Sequence, residues 1–203
     1  MKQIIFATGN EGKMKEVREI LKDLQIPICS MQEAGISVDV VEDGDTFQEN
    51  AIIKARTIAQ YIQGQDEGTI VLADDSGLEI DYLNKEPGVY SARYMGEDTS
   101  YRIKNRNLID RLTGVPAELR TARFVCAIAA VLPDGEVLTT RGTIEGKIGY
   151  EECGEHGFGY DPIFYLPDMS KSTAQLSPEE KNAISHRGEA LRRMKEKLRE
   201  KQV

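Results

Sequence analysis

The stretch Lys2-Gln3-Ile4-Ile5-Phe6-Ala7-Thr8-Gly9-Asn10-Glu11-Gly12-Lys13-Met14 decides the fold. Its short apolar run, rich in β-branched isoleucine, predicts a strand. Beyond it Met14, Val17, Ile20, Leu21 and Leu24 recur at helical spacing. The chain therefore reads strand, glycine loop, helix. Free N–H groups at that helix N-terminus, together with the helix dipole, favour an anion in the loop, and Lys13 adds a cation that could reach a phosphate. The plainer alternative is a glycine-bearing turn with Lys13 solvated, although a cation in the first helical turn opposes the dipole. An ordinary P-loop is disfavoured, because Ala7 stands where that motif needs glycine and Met14 where it needs a hydroxyl.

Working outward, Thr46-Phe47-Gln48-Glu49 has the form of a capping box, and Ala51, Ile52, Ala55, Ile58, Ala59 and Ile62 supply the apolar face of a second helix that Gly64 and Gly68 end. Residues 69–73 form a fully apolar strand running into Asp74-Asp75-Ser76-Gly77, and alternation resumes over 78–83. This places acidic side chains at the end of a buried strand. Residues 97–112 predict a helix, and 121–132 and 136–143 predict a hairpin closed by Pro133-Asp134-Gly135. Ser177-Pro178-Glu179-Glu180 is another capping box, and Leu191, Met194 and Leu198 mark a last charged helix, with Ser185-His186-Arg187-Gly188 as the interruption between them. Alternating helices and strands followed by a hairpin predict an α/β fold with a mixed sheet.

At 203 residues the chain is long enough for one domain, or two lobes sharing a core. A net charge of -8 with no basic block excludes duplex nucleic acid as the main partner. The longest apolar run, 124–132, is far below the roughly 18 residues of a membrane helix, and the N-terminus lacks a signal-peptide apolar segment, so a cytoplasmic protein is expected. Three cysteines without a Cys-x-x-Cys pair and two histidines indicate neither a disulfide framework nor a zinc site.

Three further clusters could carry chemistry. Asp74 and Asp75 repel each other unless something cationic, most simply Mg²⁺, lies between or beside them, and Glu42-Asp43-Gly44-Asp45 could add an acid. A carboxylate there can accept a proton from an attacking water; the plainer alternative is a turn. The glycines of Gly157-Phe158-Gly159-Tyr160-Asp161-Pro162 let backbone approach a flat ligand on which an aromatic ring stacks, or else make a simple bend with core aromatics. Lys181 with Ser185, His186 and Arg187 offers donors suited to a carbonyl-bearing edge or a phosphate, or forms a solvated helix junction. The phosphate loop and the acids together point to phosphate hydrolysis.

The ordered segments Thr8-Gly9-Asn10-x-x-Lys13, Thr46-Phe47-x-Glu49-Asn50-Ala51-x-x-Lys54-Ala55, Ala73-Asp74-Asp75-Ser76-Gly77-Leu78, Pro87-Gly88-Val89-Tyr90-Ser91-Ala92-Arg93-Tyr94, Gly157-Phe158-Gly159-Tyr160-Asp161-Pro162-Ile163-Phe164 and Lys181-Asn182-Ala183-Ile184-Ser185-His186-Arg187-Gly188 closely resemble the inosine triphosphate pyrophosphatase family. The resemblance covers nearly the whole chain. It implies one domain over 1–203, with an elongated mixed β-sheet, flanking helices, and two lobes around a central cleft. It further implies a homodimer and a Mg²⁺-dependent hydrolase that converts the purine nucleoside triphosphates ITP, dITP and XTP to the monophosphate and pyrophosphate, cleansing the nucleotide pool. On the matching positions, Thr8, Gly9, Asn10, Glu11, Gly12 and Lys13 would bind the triphosphate, supported by Lys54 and Ser76. Glu42 and Asp75 would serve the metal, with Asp75 as proton acceptor. Phe158 would stack on the base, and Gly159, Tyr160, Asp161, Lys181, Ser185, His186 and Arg187 would line its surroundings. Two rivals are a septum-inhibitor-like pyrophosphatase acting on pyrimidine or modified nucleotides, against which the Ser-His-Arg and Phe-Gly-Tyr-Asp motifs argue, and a non-catalytic nucleotide-binding regulator.

Overall fold

A computed structural model describes residues 2–64 and 68–201. The mixed α/β expectation holds: strand β1 (Gln3–Phe6) leads into helix α1 (Glu11–Leu21), β2 (Ile28–Ser30), α2 (Phe47–Tyr61) and β3 (Thr69–Ile80). Helix α3 (Tyr101–Arg111), strands β4 (Thr121–Val131), β5 (Val137–Ile148) and β6 (Phe164–Tyr165), and helices α4 (Pro178–Ile184) and α5 (His186–Glu200) complete the order. The six strands form one sheet in the order β2-β1-β3-β4-β5-β6.

β1 pairs in parallel with both β2 and β3, with Ile4 opposite Ile28 on one side and Ile70 on the other. Parallel neighbours need long crossovers, which α1 and α2 supply. The first crossover leaves β1 toward one side and the chain returns on the other, so the carboxyl end of β1 is a topological switch point, where α/β sheets bind ligands. The loop 7–10 leaves from that end. β4 and β5 are joined by a tight turn in which Gly135 N–H donates to Leu132 O, and β6 pairs antiparallel with β5.

The chain divides into two compact units. The first comprises the stretch up to Asp75, Cys126–Gly142 and the residues from Arg187 onward; the second comprises Ser76–Val125 and Thr143–His186. The core of the first unit uses strand alternation: Ile4, Phe6, Ile70, Leu72, Cys126, Ile128 and Ala130 share one sheet face with Met14, Val17 and Leu21 of α1 and Ala190, Leu191, Met194 and Leu198 of α5. The opposite face belongs to α2, whose Ala51, Ala55 and Ile58 are fully buried. The core of the second unit joins Leu78, Ile80, Leu108, Leu112, Phe124, Ile148, Tyr160 and Phe164.

Four boundaries differ from expectation. The aspartates do not follow a strand; they lie inside β3, which runs unbroken to Ile80. Helix α3 begins at Tyr101 and not at 97, because its N-cap Ser100 is extended, at φ -62° and ψ 146°. β5 continues past 143 because Gly146 leaves room for the Phe164 ring and the Tyr165 carbonyl of β6. The expected break at 185–188 is confined to extended Ser185, and α5 takes up His186 and Arg187 at once. Among the described residues no helix is long and apolar enough to cross a membrane.

Candidate active site

The sequence-predicted residues fall into two groups, one per unit. In the first unit, Asn10 caps α1: its Oδ1 accepts Lys13 N–H at 3.0 Å, while Thr8 Oγ1 accepts Asn10 N–H at 3.1 Å. This leaves Gly9, Asn10, Glu11 and Gly12 exposed at the start of the helix, with the backbone N–H groups of Gly9, Glu11 and Gly12 available to an anion.

Asp74 and Asp75 are neighbours in β3, so their side chains project from opposite faces. Asp74 is fully buried on the α1 and α5 face. There Lys13 Nζ lies 3.0 Å from its Oδ1 and Arg187 Nε 3.3 Å from its Oδ2. Arg187, also buried, reaches Glu16 with Nη1 at 2.5 Å. Burial alone would push the Asp74 carboxyl up, but Lys13, Arg187 and Lys54 outweigh it and hold the group well below the usual carboxylate range. Asp75 faces α2, where Asn50 Nδ2 donates to its Oδ2 at 3.1 Å. Burial pushes its carboxyl up to about 6, against Lys54 and Asn50, with the Glu42 and Asp74 charges adding to the rise. The two adjacent acids, alike in sequence, are thus driven in opposite directions.

One face of α2 organises this side. Asn50 and Lys54 stand one turn apart. Asn50 accepts Gly44 N–H at 2.8 Å and holds Asp75; Lys54 donates to the Asp74 carbonyl at 3.1 Å and pairs with Glu42 at 2.9 Å. Each side chain ties the strand to the loop carrying Glu42. The expectation that Lys13 is solvated or aimed only at a ligand is refined: Asp74 is its anion, which answers the conflict with the helix dipole. Arg187, expected at the edge of a base, is engaged with Asp74 and Glu16 in the first unit.

In the second unit, Asp161 is the centre. Its Oδ2 accepts Lys181 Nζ at 2.6 Å and Phe158 N–H at 2.8 Å, and its Oδ1 accepts the Thr173 hydroxyl at 2.8 Å. The Lys181 ammonium also lies 4.9 Å from the centroid of the Phe158 ring, which remains 37% exposed and able to stack on a flat ligand. Gly157 has φ +75°, and a Cβ there would stand 2.2 Å from Asp161 Oδ2. Tyr160 donates to Ser91 O at 2.6 Å and packs edge-on to Tyr101; Asn105 donates to Gly159 O. Ser185 is buried beside Lys181, whose carbonyl accepts its N–H at 2.8 Å, and the His186 ring stacks on Phe124 with centroids 5.0 Å apart. Ser76 is half-buried at the start of this unit.

Sequence reasoning missed Asn50, Glu16 and Thr173 as site residues. The signal for Asn50 was its i, i+4 spacing with Lys54, and for Glu16 its i, i+3 spacing with Lys13. For Thr173 no local signal existed.

Residues 4–197 match the model of the Ham1 family. The dITP/XTP pyrophosphatase of Clostridium perfringens is 48% identical over 200 residues, covering 98% of this chain and 98% of that one. The dITP/XTP pyrophosphatase of Bacillus subtilis is 46% identical over 198 residues, with 98% of each chain covered. The structure of the Staphylococcus aureus Ham1 protein superposes with a TM-score of 0.86 at 41% identity, covering 98% of this chain and 100% of that one. A HAM1 protein from Coxiella burnetii gives 0.86 at 42% identity, with 98% and 100% covered.

Proposed function

Because the chain belongs to the Ham1 family, we propose that it is a nucleoside triphosphate pyrophosphatase that hydrolyses the purine nucleotides ITP, dITP and XTP to the monophosphate and pyrophosphate. Relatives spanning the full chain are named dITP/XTP pyrophosphatases. The single structural observation that carries the reading lies in the first unit. The capped Thr8–Lys13 loop leaves the end of β1, and the neighbouring parallel strand β3 brings two aspartates of opposite character to it, Lys13 touching Asp74 at 3.0 Å.

The proposal extends to a metal. Among the described residues no group of three or more acids, histidines or cysteines could hold one, so a cage built wholly from protein does not fit. Mg²⁺ needs no such cage, since it uses one or two carboxylates and completes its shell with waters and substrate phosphates. Glu42 and Asp75 fit that role: burial does most to raise the Asp75 carboxyl, and the like charge of Glu42 adds to the rise, so the two acids are near enough to share a cation. Bound there, Mg²⁺ would polarise phosphate oxygens and neutralise developing charge.

The chain's own residues do the rest. The N–H groups of Gly9, Glu11 and Gly12 and the Lys13 and Lys54 ammonium groups bind the polyphosphate, with Thr8, Asn10 and Ser76 adding hydrogen bonds. Asp75, with a carboxyl near 6, is well matched to accept the proton of the attacking water close to neutral pH. Asn50 holds that carboxylate in place. Phe158 stacks on the base, and Lys181, Ser185 and His186 offer donors to a 6-oxo group; adenine's 6-amino group would leave a buried donor unpaired at a cost of about 1–3 kcal/mol. Arg187 acts through Asp74. The chain works as one domain over 1–203, as a homodimer in the cytoplasm, without nucleic acid or membrane partners.

Phosphorus NMR of ITP, and separately GTP, incubated with the protein and Mg²⁺ tests the reading. IMP and pyrophosphate from ITP, with GTP persisting, is expected; orthophosphate, or no turnover, would sink it.

A further inference from the structure

We propose that Thr173 is the positioning residue of the base-recognition loop, its hydroxyl locking the Asp161 carboxylate so that one oxygen serves both Lys181 and the Phe158 backbone. The inference rests on the functional reading above and deepens its base site.

Asp161, Lys181 and Thr173 are 2%, 7% and 2% exposed, so their pairings are hardly shared with solvent. Oδ2 of Asp161 carries two donors, Lys181 Nζ at 2.6 Å and Phe158 N–H at 2.8 Å. Both distances depend on how the carboxylate is turned about its Cβ–Cγ bond, and the side chain that grips the other oxygen is Thr173, at 2.8 Å from Oδ1. The same hydroxyl lies 3.2 Å from the Asp161 carbonyl. A threonine has one hydroxyl proton, and the closer, charged oxygen takes it.

Thr173 can act as an anchor because its own position is tied down. It opens a 3₁₀ turn, Thr173–Gln175, capped by Ser172, whose N–H donates to Gln175 Oε1 at 2.9 Å. Ser172 Oγ donates to Cys153 O at 2.5 Å, and His156 N–H donates to Ala174 O at 2.9 Å. A Cβ on Gly154 would stand 2.4 Å from the Ala174 carbonyl, so the turn and the chain at 153–157 are in close contact. On the other side, Gly157 sits so near Asp161 Oδ2 that the loop has no slack to follow a turning carboxylate. Removing the hydroxyl frees the carboxylate, and with it the ammonium over the Phe158 ring and the backbone that carries the ring.

The test is Thr173→Val, nearly isosteric and lacking only the hydroxyl, with Thr173→Ala as a second variant and Thr173→Ser as the rescue. Calorimetry would measure binding of IMP, which has the base, and of pyrophosphate, which does not. Thermal unfolding checks that each variant is folded. In both hydroxyl-less variants IMP affinity should fall about tenfold, the scale of one lost hydrogen bond to a buried charge. Pyrophosphate affinity should stay within about twofold, and KM for ITP should rise about as much as IMP affinity falls while kcat changes little. Serine should restore IMP affinity. Unchanged IMP affinity in the variants, or equal loss for IMP and pyrophosphate, overturns the inference. A wild-type protein that binds no IMP overturns the functional reading itself.

Discussion

Lys13 and Asp74, 61 positions apart in the chain, form a 3.0 Å ion pair whose acidic partner is fully buried. The pair fixes the start of α1 against β3, and Arg187 completes it from α5. Asp75, one residue on, faces the other way and meets Asn50. Alternation along a single strand therefore separates a charge that holds the framework from the carboxylate proposed to do the chemistry.

The framework role predicts that Asp74→Asn is strongly destabilising. It leaves buried Arg187 without the Asp74 carboxylate and Lys13 without its ion-pair partner. Breaking a buried pair on one side costs about 3–5 kcal/mol. Denaturant unfolding should report a loss of that order, whereas a change below about 1 kcal/mol would contradict it.

Asp74 also sets an acid limit. Its folded carboxyl lies below the ordinary value near 3.8, so its contribution to stability is fully present above that pH and lost as pH falls through the folded value. In acid titrations followed by circular dichroism, wild type should lose stability steeply below about pH 4. Asp74→Asn should lose less over the same window.

Asp75 has the opposite sign. Its carboxyl is raised from 3.8 to about 6 in the folded chain, so ionising it costs stability as pH rises through that window, and protons compete with a cation below about 6. Binding of Mn²⁺ to the nucleotide-free protein should weaken as pH drops from 7 to 5, approaching about tenfold per unit in the acid limb, as displacement of one proton requires. Affinity that does not vary with pH would remove Asp75 from the metal site.

Gly157→Ala places a Cβ 2.2 Å from Asp161 Oδ2 at a φ of +75°. Both the clash and the backbone conformation work against it. IMP binding should weaken by tenfold or more, roughly the effect of 1–2 kcal/mol of local strain; calorimetry showing full affinity would mean that the 157–159 segment does not set the base site.

Much of this was legible in the sequence because it is local. The strand–loop–helix start, the Thr46 and Ser177 caps, and the hairpin turn at Pro133–Gly135 rest on short-range rules that the structure follows. The motifs also named both aspartates, Lys54, Asp161 and Lys181. What the sequence hid was which way neighbouring side chains face. Placing Asp74 and Asp75 at the end of a strand made them a mutually repelling pair on one site, whereas an unbroken β3 sends them to different helices. Lys13 and Arg187, expected to meet a ligand, find a common anion only when α1 and α5 pack on the same sheet face. Thr173 meets Asp161 through a turn whose cap has the same Ser-x-x-Gln pattern as many surface turns, so nothing local marks it.

The central claim is that Asp75 is the proton acceptor and metal carboxylate, and Asp75→Asn tests it most directly. Rapid-quench turnover of ITP with Mg²⁺, run beside equilibrium binding of ITP, should show formation of IMP and pyrophosphate falling by about a thousandfold or more while the folded variant still binds nucleotide. Turnover close to wild type in that variant would contradict the account.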